Sequence, residues 1–257
     1  ACLVGSEMCI RDSNRGLSKA MNQYLMEEVI PRKQITMTFG EAVCNHPYQQ
    51  KAREGQGYVP MALEVDLMPA GAYAQEQSAS GRVAALMSFK GYQEREHDVH
   101  LPARHAAELR ELYEGSGLSR RLVVADPRAP LRGASEFKVA VFAFAQVARV
   151  AVLAAGADLE GRLDEMLASL QEQGVVVTQA WLDLGSPSVG AAAEALRARG
   201  FFLGGALPRW FDQDGLLLQR VTGRPNWEGI QIATERSRRI ALMVRRDWLD
   251  VTADGQP

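Results

Sequence analysis

One order of local signals occurs twice in this chain and restricts the folds that it can adopt. In the first half, "HPYQQKAREGQGYVPMALEV" leads from Pro47 through a helical stretch to Gly57-Tyr58 and an apolar strand. In the second half, "SPSVGAAAEALRARGFFLGG" repeats this order from Pro187 to Gly200-Phe201. A glycine after a helix adopts a left-handed conformation that ends the helix, and the following aromatic residue can start a strand. We therefore predict two copies of one α/β unit.

The remaining periodicity predicts a mixed fold of the α/β (α+β) class. Apolar residues at helical spacing indicate helices, and β-branched or aromatic runs indicate strands. Asp158 and Thr234 are suitable N-caps for two of the helices. The segment "FKVAVFAFAQVARVAVLAAGADL" is interrupted by polar residues and is interpreted as two buried strands. Further helices are predicted in "GLSKAMNQYLMEEVI", "ARHAAELRELYEGSG", "ADLEGRLDEMLASLQEQG" and "TERSRRIALMVRRDWLD", and further strands in "QITMTFGEAV", "GRVAALMSFKGY", "VVVTQAWLDL" and "DGLLLQRV".

Composition excludes several classes of protein. The chain has 257 residues, of which 47% are hydrophobic and 23% are charged, with a formal net charge of -2. This near-neutral balance gives no support for a nucleic-acid partner or a membrane surface. No apolar run reaches the ~20 residues that a membrane-spanning helix needs. The three cysteines form no disulfide or metal framework, which favours a cytoplasmic location.

The domain organisation is predicted from composition shifts. Residues 1–13 include "EMCIRDS", which resembles the translation of a transposon end used in sequencing libraries, and they are interpreted as an assembly scar. Residues 14–92 are expected to form one unit and residues 93–257 a second unit with a C-terminal helix. On this interpretation, the natural protein extends upstream of the scar and the first unit is incomplete.

The first unit carries a motif of a known family. "NRGLSKAMNQYL" is similar to the Arg/Gln-x-x-Gly-x-Gly/Ala signature of the GNAT superfamily, the acyl-CoA-dependent N-acyltransferases. Arg15 and Ala20 match this signature, and Ser18 stands where the family has glycine; Gly16 is the alternative central glycine. The Gly-aromatic step after the last short helix is also typical of that family. The resemblance covers roughly residues 14–221 and implies, in each unit, a mostly antiparallel mixed sheet with flanking helices.

The resemblance implies acetyl-CoA, or another acyl-CoA, as co-substrate. A helix N-terminus offers unpaired N–H groups and a positive dipole end to the pyrophosphate, and an arginine adds charge-assisted hydrogen bonds. Arg15, Gly16, Ser18 and Ala20 are therefore the predicted cofactor-binding residues. The alternative is an ordinary helix start, which many unrelated proteins share.

Acyl transfer to an amine requires a base and a group that stabilises the departing thiolate. Glu41, His46 and Tyr48 are the predicted catalytic residues, with His46 as a base and Tyr48 as a proton donor to the thiolate. The family's tyrosine corresponds to Ala52 here, so the role of Tyr48 departs from the family pattern. A structural hydrogen-bonded histidine is the alternative interpretation of His46.

The second unit departs further from the family. Asp158 and Glu160 lie at the helix start where a phosphate would bind, so we expect carboxylates that repel a pyrophosphate and cap the helix. This predicts a degenerate second copy. Two functions remain open: an N-acyltransferase acting on a small-molecule or protein amine, with an upstream domain as possible partner, or a non-catalytic GNAT-like sensing or protein-interaction module of a bacterial regulatory protein.

Other motifs give weaker predictions. "HDVHLPARH" suggests either a metal site or a solvated boundary segment, and the absence of HExxH and of a cysteine partner favours the boundary and no metal. "FDQDG" lacks the later ligands of a calcium loop and predicts a β-turn. The arginines of the C-terminal helix are interpreted as its solvated face. Trp210 is expected to pack against protein, and Gly204-Gly205 to admit a close neighbouring backbone.

Overall fold

The computed structural model describes residues 17–73 and 81–254, which form a mixed α/β fold around one large sheet. This sheet has eight strands in the order β1-β3-β2-β9-β10-β8-β7-β6, and all its neighbours are antiparallel except the parallel pair β7–β8. A separate parallel pair is formed by β4 and β5. The strands are β1 (Met37–Val43), β2 (Val59–Pro69), β3 (Arg82–Gly91), β4 (His97–Pro102), β5 (Arg120–Ala125), β6 (Glu136–Phe142), β7 (Val147–Ala154), β8 (Val177–Asp183), β9 (Phe202–Leu207) and β10 (Gly215–Val221).

Within the described residues, six α-helices accompany the strands. The first, α1, continues through a π-helical turn (Leu25–Val29) and a short α-helical turn (Ile30–Arg32). Single 3-10 turns lie at Ala70–Tyr73, Ala103–His105, Ala143–Ala145 and Trp227–Gly229. The helices are α1 (Leu17–Tyr24), α2 (Tyr48–Gly55), α3 (Ala106–Tyr113), α4 (Leu159–Glu172), α5 (Val189–Arg197) and α6 (Glu235–Asp254).

A strand–helix–strand–strand unit occurs twice within the large sheet. In β1-α2-β2-β3 the last strand lies between the first two and is antiparallel to both. In β8-α5-β9-β10 the same arrangement recurs. Gly57 and Gly200 end the two helices with φ of 79° and 82°, as the repeated glycines predict. The units meet where β2 runs antiparallel to β9, so the strand order is mirrored across this junction.

The junction between β2 and β9 depends on Gly205. Ala62 lies opposite Gly205, and a Cβ on Gly205 would sit 2.3 Å from the Met61 carbonyl oxygen and 2.6 Å from Ala62 Cα. The predicted close approach of a backbone is therefore confirmed. Beside it, the Gln219 side chain accepts the Val65 N–H (2.8 Å) and donates to the Leu63 carbonyl (2.9 Å). This amide replaces ladder hydrogen bonds that the short junction lacks.

The predicted apolar stripes of two helices form part of the core. Leu159, Leu163, Leu167 and Leu170 of α4 are all buried, and α6 buries Ile240, Val244 and Val251. The Ser237 N–H donates to Thr234 Oγ1 (3.3 Å), which confirms the predicted N-cap of α6. The arginines of α6 are not all solvated, however. Arg236 is half-buried and donates to the carbonyls of Pro60 (2.9 Å), Glu114 (3.0 Å) and Leu112.

Two sequence-based interpretations are wrong. Strand β6 is not buried, because it is the last strand of the sheet and Val139, Val141 and Phe142 are 42%, 40% and 47% exposed. The histidine-rich segment is not solvated: it contains β4, and His97 and His105 are buried. Each of these two histidines lies beside a buried aspartate, Asp214 (3.1 Å) and Asp247 (3.9 Å) respectively. Local periodicity predicts neither the exposure of β6 nor the burial of these histidines, because burial here depends on partners that are distant in sequence.

Candidate functional site

A charged cluster lies on the face of the large sheet opposite the packed helices. Arg149 on β7 donates through Nη2 to Glu64 on β2 (3.1 Å to Oε1) and to Glu41 on β1 (3.2 Å to Oε1). Gln179 on β8 donates to the same Glu64 oxygen (2.8 Å) and accepts from Arg149 Nε (2.9 Å). We call these four side chains the inner cluster.

The curl of the sheet brings the inner cluster together. Strands β1 and β7 lie near opposite ends of the strand order, yet Arg149 bonds Glu41 directly. Arg149 and Gln179 are opposed in the parallel β7–β8 register and therefore project to one face. The inner cluster thus connects the two halves of the sheet across its concave side.

Glu64 has the most strongly perturbed carboxyl of the inner cluster. Its side chain is 1% exposed, and its pKa is raised to about 7. Loss of hydration is the main cause and the nearby Glu41 charge a second, while Arg149 and Gln179 act in the opposite direction. Among the described residues, no group donates to Glu64 Oε2, which is buried. A carboxyl that titrates near neutral pH and has an unused oxygen is a candidate functional group.

A group of aromatic rings lies beside the inner cluster. The Trp210 ring lies 4.9 Å from Phe39 and 4.9 Å from Trp181, both in edge-to-face contact, and 6.5 Å from Phe89. We call these four rings the aromatic patch. The guanidinium of Arg149 lies 5.7 Å from the Trp181 ring, which joins the patch to the charged cluster. Trp210 therefore packs against protein from both halves, as expected, although it remains only partly buried.

The predicted catalytic residues are not all in this cluster. Glu41 belongs to it, with a side chain 25% exposed. His46 and Tyr48 lie instead where β1 leads into α2, with their rings 5.5 Å apart. Tyr48 is 76% exposed, whereas His46 Nδ1 is buried with no hydrogen-bond partner among the described residues. No interaction joins these two rings to the inner cluster among the contacts of the described residues.

Part of the predicted cofactor loop lies outside the described residues. Arg15 and Gly16 precede the described part of the chain. Ser18 is in α1, although its side chain is not described, and Ala20 is exposed on the same helix. The structure therefore places Ala20 at a helix surface and leaves the phosphate-loop prediction as it stands.

The corresponding helix start in the second half is closed by its own chain. The Gly156 N–H donates to Ser135 Oγ (2.9 Å), and the Ala157 N–H donates to the Gly133 carbonyl (3.0 Å). A Cβ on Gly156 would lie 2.4 Å from the Gly133 carbonyl oxygen, so the two segments are in close contact. Asp158 does not cap its helix by a side-chain hydrogen bond, contrary to expectation; its Oδ1 accepts the Ser135 N–H (2.7 Å).

A groove of about 540 Å³ lies elsewhere on the protein, beside Asp66 and Arg82. Its charged groups already have partners. Arg82 donates to the carbonyls of Asp66 (2.7 Å) and Ala145 (2.6 Å), and Asp66 accepts the Asn226 N–H (3.1 Å). We therefore regard the inner cluster as the stronger candidate site.

Sequence reasoning missed three members of the inner cluster: Glu64, Arg149 and Gln179. A usable signal was present, because "MALEVDL" places two acidic residues, and "VARVAV" one arginine, inside an apolar strand. A buried charge requires a partner of opposite charge. Two apolar strands that carry opposite charges are therefore candidates to lie close together in the fold.

Comparisons with protein families, with curated proteins and with solved structures give no match. Within residues 17–73 and 81–254, no group of three or more metal-ligating side chains has a geometry that could hold a metal ion. The helices of that same part of the chain are too short or too polar to cross a lipid bilayer.

Proposed function

We propose that the protein is an acyl-CoA-dependent N-acyltransferase built from two GNAT-like units, of which the first is incomplete and the second is degenerate. The observation that carries this proposal is that Glu41, the carboxylate predicted to be catalytic, shares the Arg149 guanidinium with Glu64, a buried carboxyl whose pKa is about 7. The repeated strand–helix–strand–strand unit, with its third strand inserted between the first two, supports the likeness to that superfamily.

The inner cluster, together with Tyr48 outside it, is proposed to supply the chemistry that the reaction needs. The amine nitrogen attacks the thioester carbonyl, a C–N bond forms, the C–S bond breaks, and the amine loses a proton. Glu41 is the more accessible carboxylate and is proposed to receive that proton, while Arg149 shares its charge with Glu64. Tyr48, exposed at the start of α2, is the proposed donor of the proton that converts the thiolate to a thiol.

Cofactor binding is assigned to the first unit. The helix start of the second unit has two backbone N–H groups already bonded to Ser135 and Gly133. A pyrophosphate would have to displace this segment and would face Asp158 and Glu160. The N-terminal end of α1, preceded by Arg15 and Gly16, is the alternative location and is the one that we propose.

Calorimetric titration with acetyl-CoA tests this proposal. We expect saturable binding, weakened about tenfold by Arg15→Ala, which removes a charge-assisted hydrogen bond to phosphate. Arg162→Ala is the matched control, since Arg162 is a half-exposed arginine in the first turns of α4 and its loss should leave affinity unchanged. Glu41→Gln should retain acetyl-CoA binding and lower the amine-dependent release of thiol about a hundredfold. No binding at millimolar acetyl-CoA would contradict the proposal.

One observation favours the second candidate function, a non-catalytic sensing or protein-interaction module. A CoA-dependent enzyme requires unpaired backbone N–H groups at the helix start that binds the pyrophosphate. In the second unit, two of these groups are already bonded within the chain. If acetyl-CoA fails to bind while the protein remains folded, this module becomes the better description.

A further inference from the structure

We propose that the inner cluster and the aromatic patch together bind a primary amine that carries a flat aromatic group, with the ammonium at Glu41 and the ring on Trp181, Trp210 and Phe39. This inference rests on the proposed function only for the statement that the bound amine is a substrate. The binding itself requires no acyl-CoA.

The spacing of the two parts fits one small molecule. Phe39 and Glu41 are two residues apart on β1, so their side chains project to the same face with Cα atoms about 7 Å apart. The Trp210 ring reaches Phe39 at 4.9 Å, and the Trp181 ring lies beside Arg149, the partner of Glu41. An aromatic ring joined to an amine by a two-carbon tether spans a similar distance.

The aromatic patch is accessible. Phe39 is 44% exposed, and Trp181 and Trp210 are partly exposed. The rings meet edge to face, with interplanar angles of 68° and 74° at Trp210, so each contact covers a face of only one of its two rings. Only Phe89 of the patch is buried. A flat apolar group would cover surface that the protein otherwise leaves in water.

The charge of the inner cluster selects a cation. With both carboxyls ionised, Glu41, Glu64 and Arg149 carry one net negative charge, and Gln179 is neutral. Glu64 Oε2 is buried without a partner among the described residues, so part of this negative charge is uncompensated. An ammonium beside Glu41 would neutralise the cluster, and an aromatic carboxylate would be repelled.

Tryptophan fluorescence provides a direct test, because Trp181 and Trp210 are two of the four tryptophans. Phenethylamine should quench the fluorescence saturably at pH 8. Ethylamine, which lacks the ring, and phenylacetate, which carries the opposite charge, should bind at least tenfold more weakly. Equal binding of either comparator would overturn the proposal, because it would show that the ring or the charge is not recognised.

Substitutions locate the binding. Phe39→Leu, at a position exposed enough to tolerate it, and Glu41→Gln should each weaken phenethylamine about tenfold. Trp227→Phe, outside the patch, should leave the affinity unchanged. Unaltered affinity in both Phe39→Leu and Glu41→Gln would place the ligand elsewhere and reject the site.

The pH dependence of phenethylamine affinity distinguishes charge recognition from simple packing of the ring. Protonation of Glu64 removes the net negative charge, so affinity should fall about tenfold from pH 8 to pH 6, and Glu64→Gln should be weak at both values. A wild-type affinity that does not change over this range would contradict the role of Glu64. If phenethylamine binds but acetyl-CoA does not, the proposed function fails while this inference stands.

Discussion

At the scale of single residues, Glu64 shows how burial converts an ordinary side chain into a group that titrates near neutral pH. Its Oε1 accepts from Arg149 and Gln179, yet loss of hydration outweighs both and raises its pKa to about 7. The folded protein therefore keeps a proton on Glu64 at pH values where the unfolded chain has lost it.

This difference predicts a pH-dependent stability. In the unfolded chain the Glu64 pKa returns to its ordinary value of 4.5, and in the folded protein it is about 7. Raising the pH between these values forces ionisation of a buried carboxyl, so this group's contribution to stability falls with rising pH. Relative to Glu64→Gln, the wild-type free energy of unfolding should decrease by about 2–3 kcal/mol from pH 5 to pH 8.

Urea unfolding at the two pH values measures this change. Glu172→Gln, an exposed carboxyl at the end of α4, is the control and should follow the wild type at both. A constant difference between wild type and Glu64→Gln would show that Glu64 is hydrated in solution.

At the scale of elements, Asp214 connects the small sheet to the large one. It lies within the segment "FDQDG", for which a turn is predicted, and is fully buried. It forms hydrogen bonds with His97 of β4 (3.1 Å), Tyr113 of α3 (2.8 Å) and Arg120 of β5 (2.8 Å). The Arg209 N–H adds a fourth (3.0 Å). One carboxylate thus fixes three elements against the turn before β10.

Removal of Asp214 should therefore be costly. Asp214→Ala leaves the buried Arg120 and its neighbours without their acceptor, and we expect a loss of about 3–5 kcal/mol in the free energy of unfolding. Asp212→Ala, two residues away and exposed, should change stability by less than about 0.5 kcal/mol. Chemical denaturation of the two variants decides the matter, and equal effects would mean that Asp214 does not hold these elements.

Elements of this protein were predictable where the cause was local. The left-handed glycines, the stripe of α4 and the cap of α6 follow from neighbouring residues, and each is present. The inner cluster was not predictable, because Glu41 and Arg149 are 108 residues apart and meet only through the curl of the sheet. The exposure of β6 and the burial of His97 likewise depend on which strands become neighbours.

At the scale of the whole molecule, the two strand–helix–strand–strand units share one sheet through a short junction. The helix-covered side of that sheet contributes to a core with residues from both halves. On the opposite side the inner cluster links β1 and β2 to β7 and β8. The junction at Gly205 is therefore the backbone connection on which the common core depends.

A side chain at Gly205 should separate the halves. Gly205 has φ of 137°, and Gly205→Ala would bring Cβ against the backbone of β2, so we expect a loss of about 3 kcal/mol. Gly161→Ala is the control, because no other atom lies within 4 Å of the added Cβ and alanine favours a helix. Thermal melting should show a lower midpoint than the wild type for Gly205→Ala and no decrease for Gly161→Ala. Equal midpoints for the two variants would contradict the role of the junction.

The junction between β2 and β9 joins two units of the same chain, and this affects how their contact responds to dilution of the protein. Two separate chains that met through one short strand pairing would face the entropy of association and would dissociate as their concentration fell. Here both partners belong to one polypeptide, so the linker fixes their effective concentration whatever the amount of protein in solution. The short strand pairing then needs to supply only part of the stabilisation, because the common core and the inner cluster also join the two halves.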